Sequence, residues 1–153
     1  MKRRRPPHPT PPSLVMQLAN LRRMHPDLLA GIEGGVLVAE GWIRGSPVTR
    51  RYRVRIEYRP GRYPKAYVLE PALEQRLPDQ PVAHTNGPTE PCLFTKENGD
   101  WKQFMYVGQT IVPWLMEWLV FYEVWRATGA WFGGGTLLEG YEDGGQSSGP
   151  SAA

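Results

Sequence analysis

RYRVRIEYR, residues 51–59, predicts the fold more directly than any other stretch of this sequence. Aromatic and β-branched residues alternate with charged residues at every step. Side chains two residues apart share one face of a strand, so this period of two predicts a strand with one buried face and one charged face. The row of arginines on the charged face could bind an anion, but a solvated face of an antiparallel sheet is the favoured interpretation.

Further elements are predicted on both sides of this strand. Val36–Arg44 reads as a preceding strand, separated from it by a Gly-Ser-Pro turn, and Ala66–Leu69 as a shorter following strand after the Pro60-Gly61 turn. A helix is expected before the strands, from the N-cap Ser13 to about Leu29, where Pro26 can break its last turn. A turn with Gly31, Gly34 and Gly35 then leads into the first strand.

A long aromatic helix is predicted near the end of the chain. Thr110 can cap it, Pro113 falls in its first turn, and Gly129 stops it. Its apolar positions follow helical spacing and predict a stripe packed against the sheet: Ile111, Trp114, Leu115, Trp118, Leu119, Tyr122 and Trp125. Trp131 is expected to fold back onto the core. The sequence therefore predicts an α+β fold, in which an antiparallel meander of three to four strands packs on one long central helix.

Length and charge limit the domain organisation and the partners. The 153 residues suit one domain, expected over 13–138, between a basic Pro-rich tail (1–12) and a Gly/Ser-rich tail (139–153), both expected to be disordered. The net charge of +3 is concentrated in the first tail, so it does not favour a nucleic-acid-binding face. The most apolar window, 111–124, is too short and too charged to span a bilayer.

The chain contains one cysteine, Cys92, which excludes an intramolecular disulfide and a multi-cysteine zinc site. A lone thiol fits a reducing cytoplasm, and the basic start is followed by prolines rather than by the apolar run of a signal peptide. No phosphate-binding glycine loop is present, and no cofactor or metal is predicted.

HTNGPTEPCLFTKENGDW, residues 84–101, is the candidate site. An exposed Cys92 in this proline-bounded loop would be a nucleophile for acyl transfer. The side-chain amide of Asn86 could stabilise the tetrahedral oxyanion, and His84 could accept a proton. Purely structural roles stay open as alternatives: Cys92 as a small buried residue, and Asn86 or His84 as residues that shape the loop.

The order of these features resembles that of the ubiquitin-conjugating enzymes. That family has a His-Pro-Asn motif shortly before its catalytic cysteine and a long helix behind it. Two departures are visible here: Thr85 stands at the motif proline, and His84 and Cys92 are eight residues apart, two fewer than usual. The matching residues are Tyr63-Pro64, Pro71-Ala72-Leu73, His84-Thr85-Asn86, Cys92-Leu93-Phe94 and Trp101.

The end of the chain resembles, more specifically, the compact bacterial members of this family from CBASS antiphage operons. The resemblance covers about residues 13–138 and implies a UBC-like fold with Cys92, Asn86 and His84 as catalytic residues. It implies further that the acyl donor is the C-terminus of a cGAS-like nucleotidyltransferase (CD-NTase), carried as a thioester and passed to an amine acceptor. The matching residues are Trp118-Leu119, Tyr122-Glu123, Trp125, Thr128-Gly129-Ala130-Trp131 and Gly133-Gly134-Gly135.

Two other functions compete with this interpretation. A non-catalytic UBC-like binding module would make Cys92 incidental, although an inactive variant need keep neither Cys92 nor Asn86. A cysteine hydrolase using Cys92 and His84 is less favoured, because no further residue is placed to orient the base. Whether a separate activating enzyme loads Cys92 stays open.

Overall fold

The computed structural model of the protein describes residues 4–133. It contains one antiparallel four-stranded sheet, in the order in which the strands follow in the chain, and two α-helices. This architecture confirms the predicted α+β meander. The elements are α1 (Leu14–Met24), β1 (Leu29–Glu33), β2 (Val36–Arg44), β3 (Arg51–Tyr58), β4 (Lys65–Glu70), a 3-10 turn (Val107–Gln109) and α2 (Ile111–Thr128).

The terminal predictions are only partly within this range. Residues 4–12 form no helix or strand. The predicted C-terminal tail, residues 139–153, and the glycines Gly134 and Gly135 lie outside the described residues, as do residues 1–3.

Helix α1 begins as predicted and ends earlier. The Ser13 hydroxyl oxygen accepts a hydrogen bond from the Met16 amide at 3.2 Å, which caps the first turn. The helix stops at Met24, so the prediction that it continues to about Leu29 was wrong. The φ and ψ angles of His25 are already outside the helical region, because the following Pro26 disfavours the helical conformation at His25.

Strand β1 takes the place of the missing helical turn. It pairs with β2 along its whole length, and the turn between them consists of Gly34 and Gly35, both with positive φ. Such a two-residue glycine turn matches the twist of an antiparallel hairpin. Gly31, which was predicted to lie in a turn, is part of the strand.

Strand β3 has the two faces that its alternation predicts. Its aromatic and β-branched residues are buried, and its arginines lie on the other face in a network with carboxylates of β2 and β4. Arg53 contacts Glu40 at 2.7 Å and Glu70 at 3.0 Å. Arg55 contacts Glu57 at 2.7 Å. The arginines lie on the predicted outer face of the sheet, and their pairing with carboxylates is a feature that the sequence did not predict.

Helix α2 packs on the sheet through the predicted stripe, except that Trp114 is only partly buried. The Tyr52 ring of β3 meets the Tyr122 ring edge-to-face at 6.2 Å between centroids. A Cβ at Gly45, in the turn after β2, would lie 2.5 Å from the Met116 carbonyl oxygen of α2. The glycine therefore permits this turn to approach the helix closely. The buried residues of the helix are Ile111, Val112, Leu115, Trp118, Leu119, Tyr122 and Trp125.

The ends of α2 show one difference from expectation. Gly129, with φ of 83°, ends the helix in the left-handed conformation that glycine tolerates best. Thr110 occupies the N-cap position, but its hydroxyl donates to the Tyr106 carbonyl at 2.8 Å instead of capping the helix. Across residues 4–133, no helix is both long and apolar enough to cross a membrane.

A buried glutamine joins α1 to the segment before α2. The Gln17 amide donates to the Met105 carbonyl at 2.9 Å and accepts from the Val107 amide at 2.9 Å. Both backbone groups are thereby satisfied, Val107 in the interior and Met105 in a partly buried position. The glutamine therefore positions the loop that leads from the candidate site into the long helix.

Candidate active site

The Pro-rich stretch before Cys92 contains a small hairpin that the sequence did not predict. Its strands are β5 (Thr85–Asn86) and β6 (Glu90–Pro91), and Gly87 in the turn has φ of 74°. The Val68 amide of β4 donates to the Thr89 carbonyl at 2.8 Å, which ties the hairpin to the edge of the main sheet. The loop that carries the candidate site is thus attached to a rigid element.

His84 holds the backbone of the loop that carries Cys92. Its carbonyl oxygen accepts from the Cys92 amide at 2.8 Å and from the Trp118 indole N–H at 3.2 Å. Its φ of 53° is rare for a residue other than glycine, and its side chain is 5% exposed. This position fits the loop-shaping role that the sequence left open beside proton transfer.

Trp131 covers the His84 ring. The two rings stack with centroids 4.5 Å apart, and Trp131 also contacts the rings of Trp118 at 5.5 Å and Phe121 at 6.0 Å. The prediction that Trp131 folds back onto the core is therefore confirmed. The consequence is a wall, residues 131–133, beside the candidate site.

Cys92 and Asn86 both line a cleft of about 810 Å³. The segment after Cys92 forms one side of it, and residues 131–133 form another. His84 is not among the lining residues, so of the three predicted catalytic residues the cleft brings together two. Helix α2 contributes Trp114, Glu117, Trp118 and Phe121.

The proline-bounded loop predicted an exposed Cys92. In the structure the residue is half-buried instead. Burial raises the pKa of this thiol above its ordinary value, and the negative charge of Glu90 raises it further. The neutral thiol therefore predominates at pH 7. Once deprotonated, a thiol of high pKa is a strong nucleophile and a comparatively poor leaving group.

The acidic residues of the cleft were missed by sequence reasoning. Glu97, Asp100 and Glu117 line it together with one cation, Lys96. From the sequence, Glu117 is only one of the charges in the apolar window 111–124. The available signal was helical spacing, since positions 114, 117, 118 and 121 lie on one face of α2. Within residues 4–133, no group of three or more His, Cys, Asp or Glu side chains could hold a metal ion.

Comparison with known proteins shows the family. No curated protein matches the chain. The model of a family described as "Type II CBASS E2 protein" matches residues 17–138, a range that includes the sheet, both Cys92 and Asn86, and α2. Because this match extends over most of its length, the chain belongs to the type II CBASS E2 proteins and has an E2-like role in CBASS defence.

Proposed function

We propose that this protein is a ubiquitin-conjugating-like enzyme that carries the C-terminus of a CD-NTase as a thioester on Cys92. It then transfers that C-terminus to an amine acceptor. The observation that carries the proposal is that Cys92 and Asn86 line the same cleft of about 810 Å³, in a chain of the E2 family of CBASS.

The first step forms the thioester. The Cys92 thiolate attacks the carbonyl carbon of a C-terminus that an activating enzyme presents as an acyl adenylate or as a thioester. The new C–S bond forms as the bond to AMP or to the activating enzyme's sulfur breaks, and AMP or that thiolate leaves. The thiol proton passes to solvent. Asn86 lines the same cleft as the thiol, so its side-chain N–H is available to the oxyanion of the tetrahedral intermediate.

The second step forms the amide. A neutral amine attacks the same carbonyl carbon, the carbon–sulfur bond breaks, and the Cys92 thiolate leaves. The amine loses one proton, and Glu117, at the side of the cleft, is the carboxylate that we assign to receive it. His84 serves as a positioning residue, because its carbonyl holds the Cys92 amide and its ring is buried under Trp131.

One observation favours a second function, the non-catalytic binding module. Half-burial and a raised thiol pKa describe a cysteine that is not activated in the protein alone. In that case the cleft would bind a peptide without forming a bond to it.

Replacement of Cys92 separates these functions. The protein is mixed with the CD-NTase, an activating enzyme and ATP, and adducts are separated on gels with and without reducing agent. We expect Cys92→Ala to form no adduct, and Cys92→Ser to form one that thiols do not cleave. Thermal unfolding of the same preparations should show a loss of at most about 1 kcal/mol, since the side chain is small and only half-buried.

Other results would assign other functions. A folded Cys92→Ala protein that still conjugates would exclude Cys92 as the acyl carrier. Stable binding of the partner without any adduct in the wild-type protein would indicate a binding module, and a shortened partner would indicate a hydrolase.

Asn86 is tested by a matched pair of variants. Loss of one oxyanion donor costs a factor of about 10²–10³, so Asn86→Ala should slow transfer by that amount without unfolding the protein. Asn98→Ala is the control, because Asn98 lines the same cleft and is also exposed. Equal rates for the two variants would leave Asn86 with a loop-shaping role.

A further inference from the structure

A second cleft, of about 460 Å³, lies near the turn between β3 and β4. We call it the basic cleft. Its lining includes two tyrosines and four cations: Tyr63, Tyr67, Arg59, Arg62, Lys65 and Lys96.

The cations of the basic cleft differ from the other arginines of the sheet. Arg53 and Arg55 are paired with carboxylates. Among residues 4–133, none of the four cations of the basic cleft forms an ion pair, and the one carboxylate of its lining, Glu57, is engaged by Arg55. Four cations beside one carboxylate that is already paired give the basic cleft a net positive charge, so it attracts an anionic ligand.

The basic cleft neighbours the cleft of Cys92. Lys96 lines both, with its ammonium 5.0 Å from the centre of the Tyr63 ring. Two ring-to-ring steps, 5.8 Å from Tyr63 to Phe94 and 6.2 Å from Phe94 to Trp114, lead from one cleft to the other. An extended peptide of about four residues covers that distance.

We propose that the basic cleft binds acidic residues of the polypeptide whose C-terminus is carried on Cys92, about four or more positions before the thioester. This inference rests on the proposed function and names the class of tail that it accepts. A chain attached at Cys92 must leave its cleft, and residues 131–133 and α2 form walls there. The route past Phe94 and Lys96 leads to unpaired cations, which favour an acidic chain over a neutral one.

Peptide binding tests the site independently of the chemistry. The ligand is a fluorescein-labelled peptide in which four glutamates are followed by four small neutral residues that end at the C-terminus. Cys92→Ala protein is titrated into it in 50 mM salt, and the fluorescence anisotropy is measured. A glutamine version of the peptide is the ligand control. We expect the glutamate peptide to bind at least tenfold more tightly, with an affinity that falls steeply as salt rises.

A matched pair of double charge reversals locates the binding. Arg62→Glu/Lys65→Glu should weaken the binding of the glutamate peptide at least tenfold. Arg23→Glu/Arg51→Glu changes the net charge equally at exposed positions outside the basic cleft, and should leave affinity within twofold. Thermal unfolding confirms that both variants are folded. An equal loss of peptide affinity in both double variants would overturn the proposal, as would equal affinity of the wild-type cleft for the glutamine peptide. Tighter binding of ATP, which the glutamate peptide fails to displace, would overturn it too.

The active protein with Cys92 shows which polypeptide uses the basic cleft. In Arg62→Glu/Lys65→Glu, adduct formation with the CD-NTase should fall at least tenfold, while discharge of a preformed adduct to an amine keeps its rate. The reverse pattern would place the acceptor in the basic cleft and refute the inference. Absence of any adduct in the wild-type protein would instead refute the proposed function, a result that the peptide titration does not depend on.

Discussion

Replacement of Trp131 by alanine measures how strongly the segment after α2 holds the candidate site. The indole packs on three rings, those of His84, Trp118 and Phe121. Aromatic pairs contribute about 0.5–1.5 kcal/mol each beyond the burial of their area. Because Trp131 remains partly exposed, we expect a total loss of about 2–3 kcal/mol for Trp131→Ala, toward the low end for truncation of a buried tryptophan.

The loss should appear as a lower unfolding temperature and a more accessible thiol. For a domain of this size, 1 kcal/mol corresponds to about 3–4 °C, so the Tm should fall by roughly 6–12 °C. Alkylation of Cys92 by iodoacetamide should become several-fold faster, since removal of the indole uncovers His84, whose carbonyl holds the Cys92 amide. Phe132→Ala is the control: this side chain is 71% exposed, so its loss should cost less than about 0.5 kcal/mol. A Trp131→Ala protein with the wild-type Tm and alkylation rate would refute the packing argument.

Two further predictions concern groups that the structure places around the site. Gln17→Ala leaves the Met105 carbonyl and the Val107 amide without their partner in the interior, and should cost about 3–5 kcal/mol in urea unfolding, whereas a change below 1 kcal/mol would mean that water replaces the amide. Glu90→Gln removes the second cause of the raised Cys92 pKa while burial, the larger cause, remains; the midpoint of the pH–alkylation profile should therefore shift to lower pH, and an unchanged midpoint would exclude Glu90 as a contributor.

The elements with a strong local pattern could be predicted from the sequence. Alternation at 51–59 and helical spacing at 111–125 each identify a structure within a single segment, because the period of side-chain direction differs between strand and helix. Both appear in the structure with the predicted buried faces, except that Trp114 is only partly buried and lines the cleft of Cys92. The strand β2 has the predicted bounds, since a turn sequence delimits it on either side.

The first strand shows where local reasoning fails. Leucines at 14, 18, 21 and 28 fit a helical stripe, and nothing within 25–29 contradicts a longer helix except Pro26. The choice depends on pairing with β2, which satisfies the backbone groups of β1 and buries Ala30. Such pairing partners are not adjacent to the segment that needs them, so propensity alone cannot supply the answer.

The candidate site divides in the same way. Residue types and their order were sufficient to select Cys92, Asn86 and His84 as candidates, because the chain has one cysteine and a histidine and an asparagine lie just before it. Their surroundings depend on contacts over long separations, such as the hydrogen bond from Trp118 to His84 and the stacking of Trp131. Burial of the thiol, its raised pKa and the position of Lys96 in both clefts arise from tertiary packing, since desolvation and charge proximity are properties of positions in space rather than of positions in the chain.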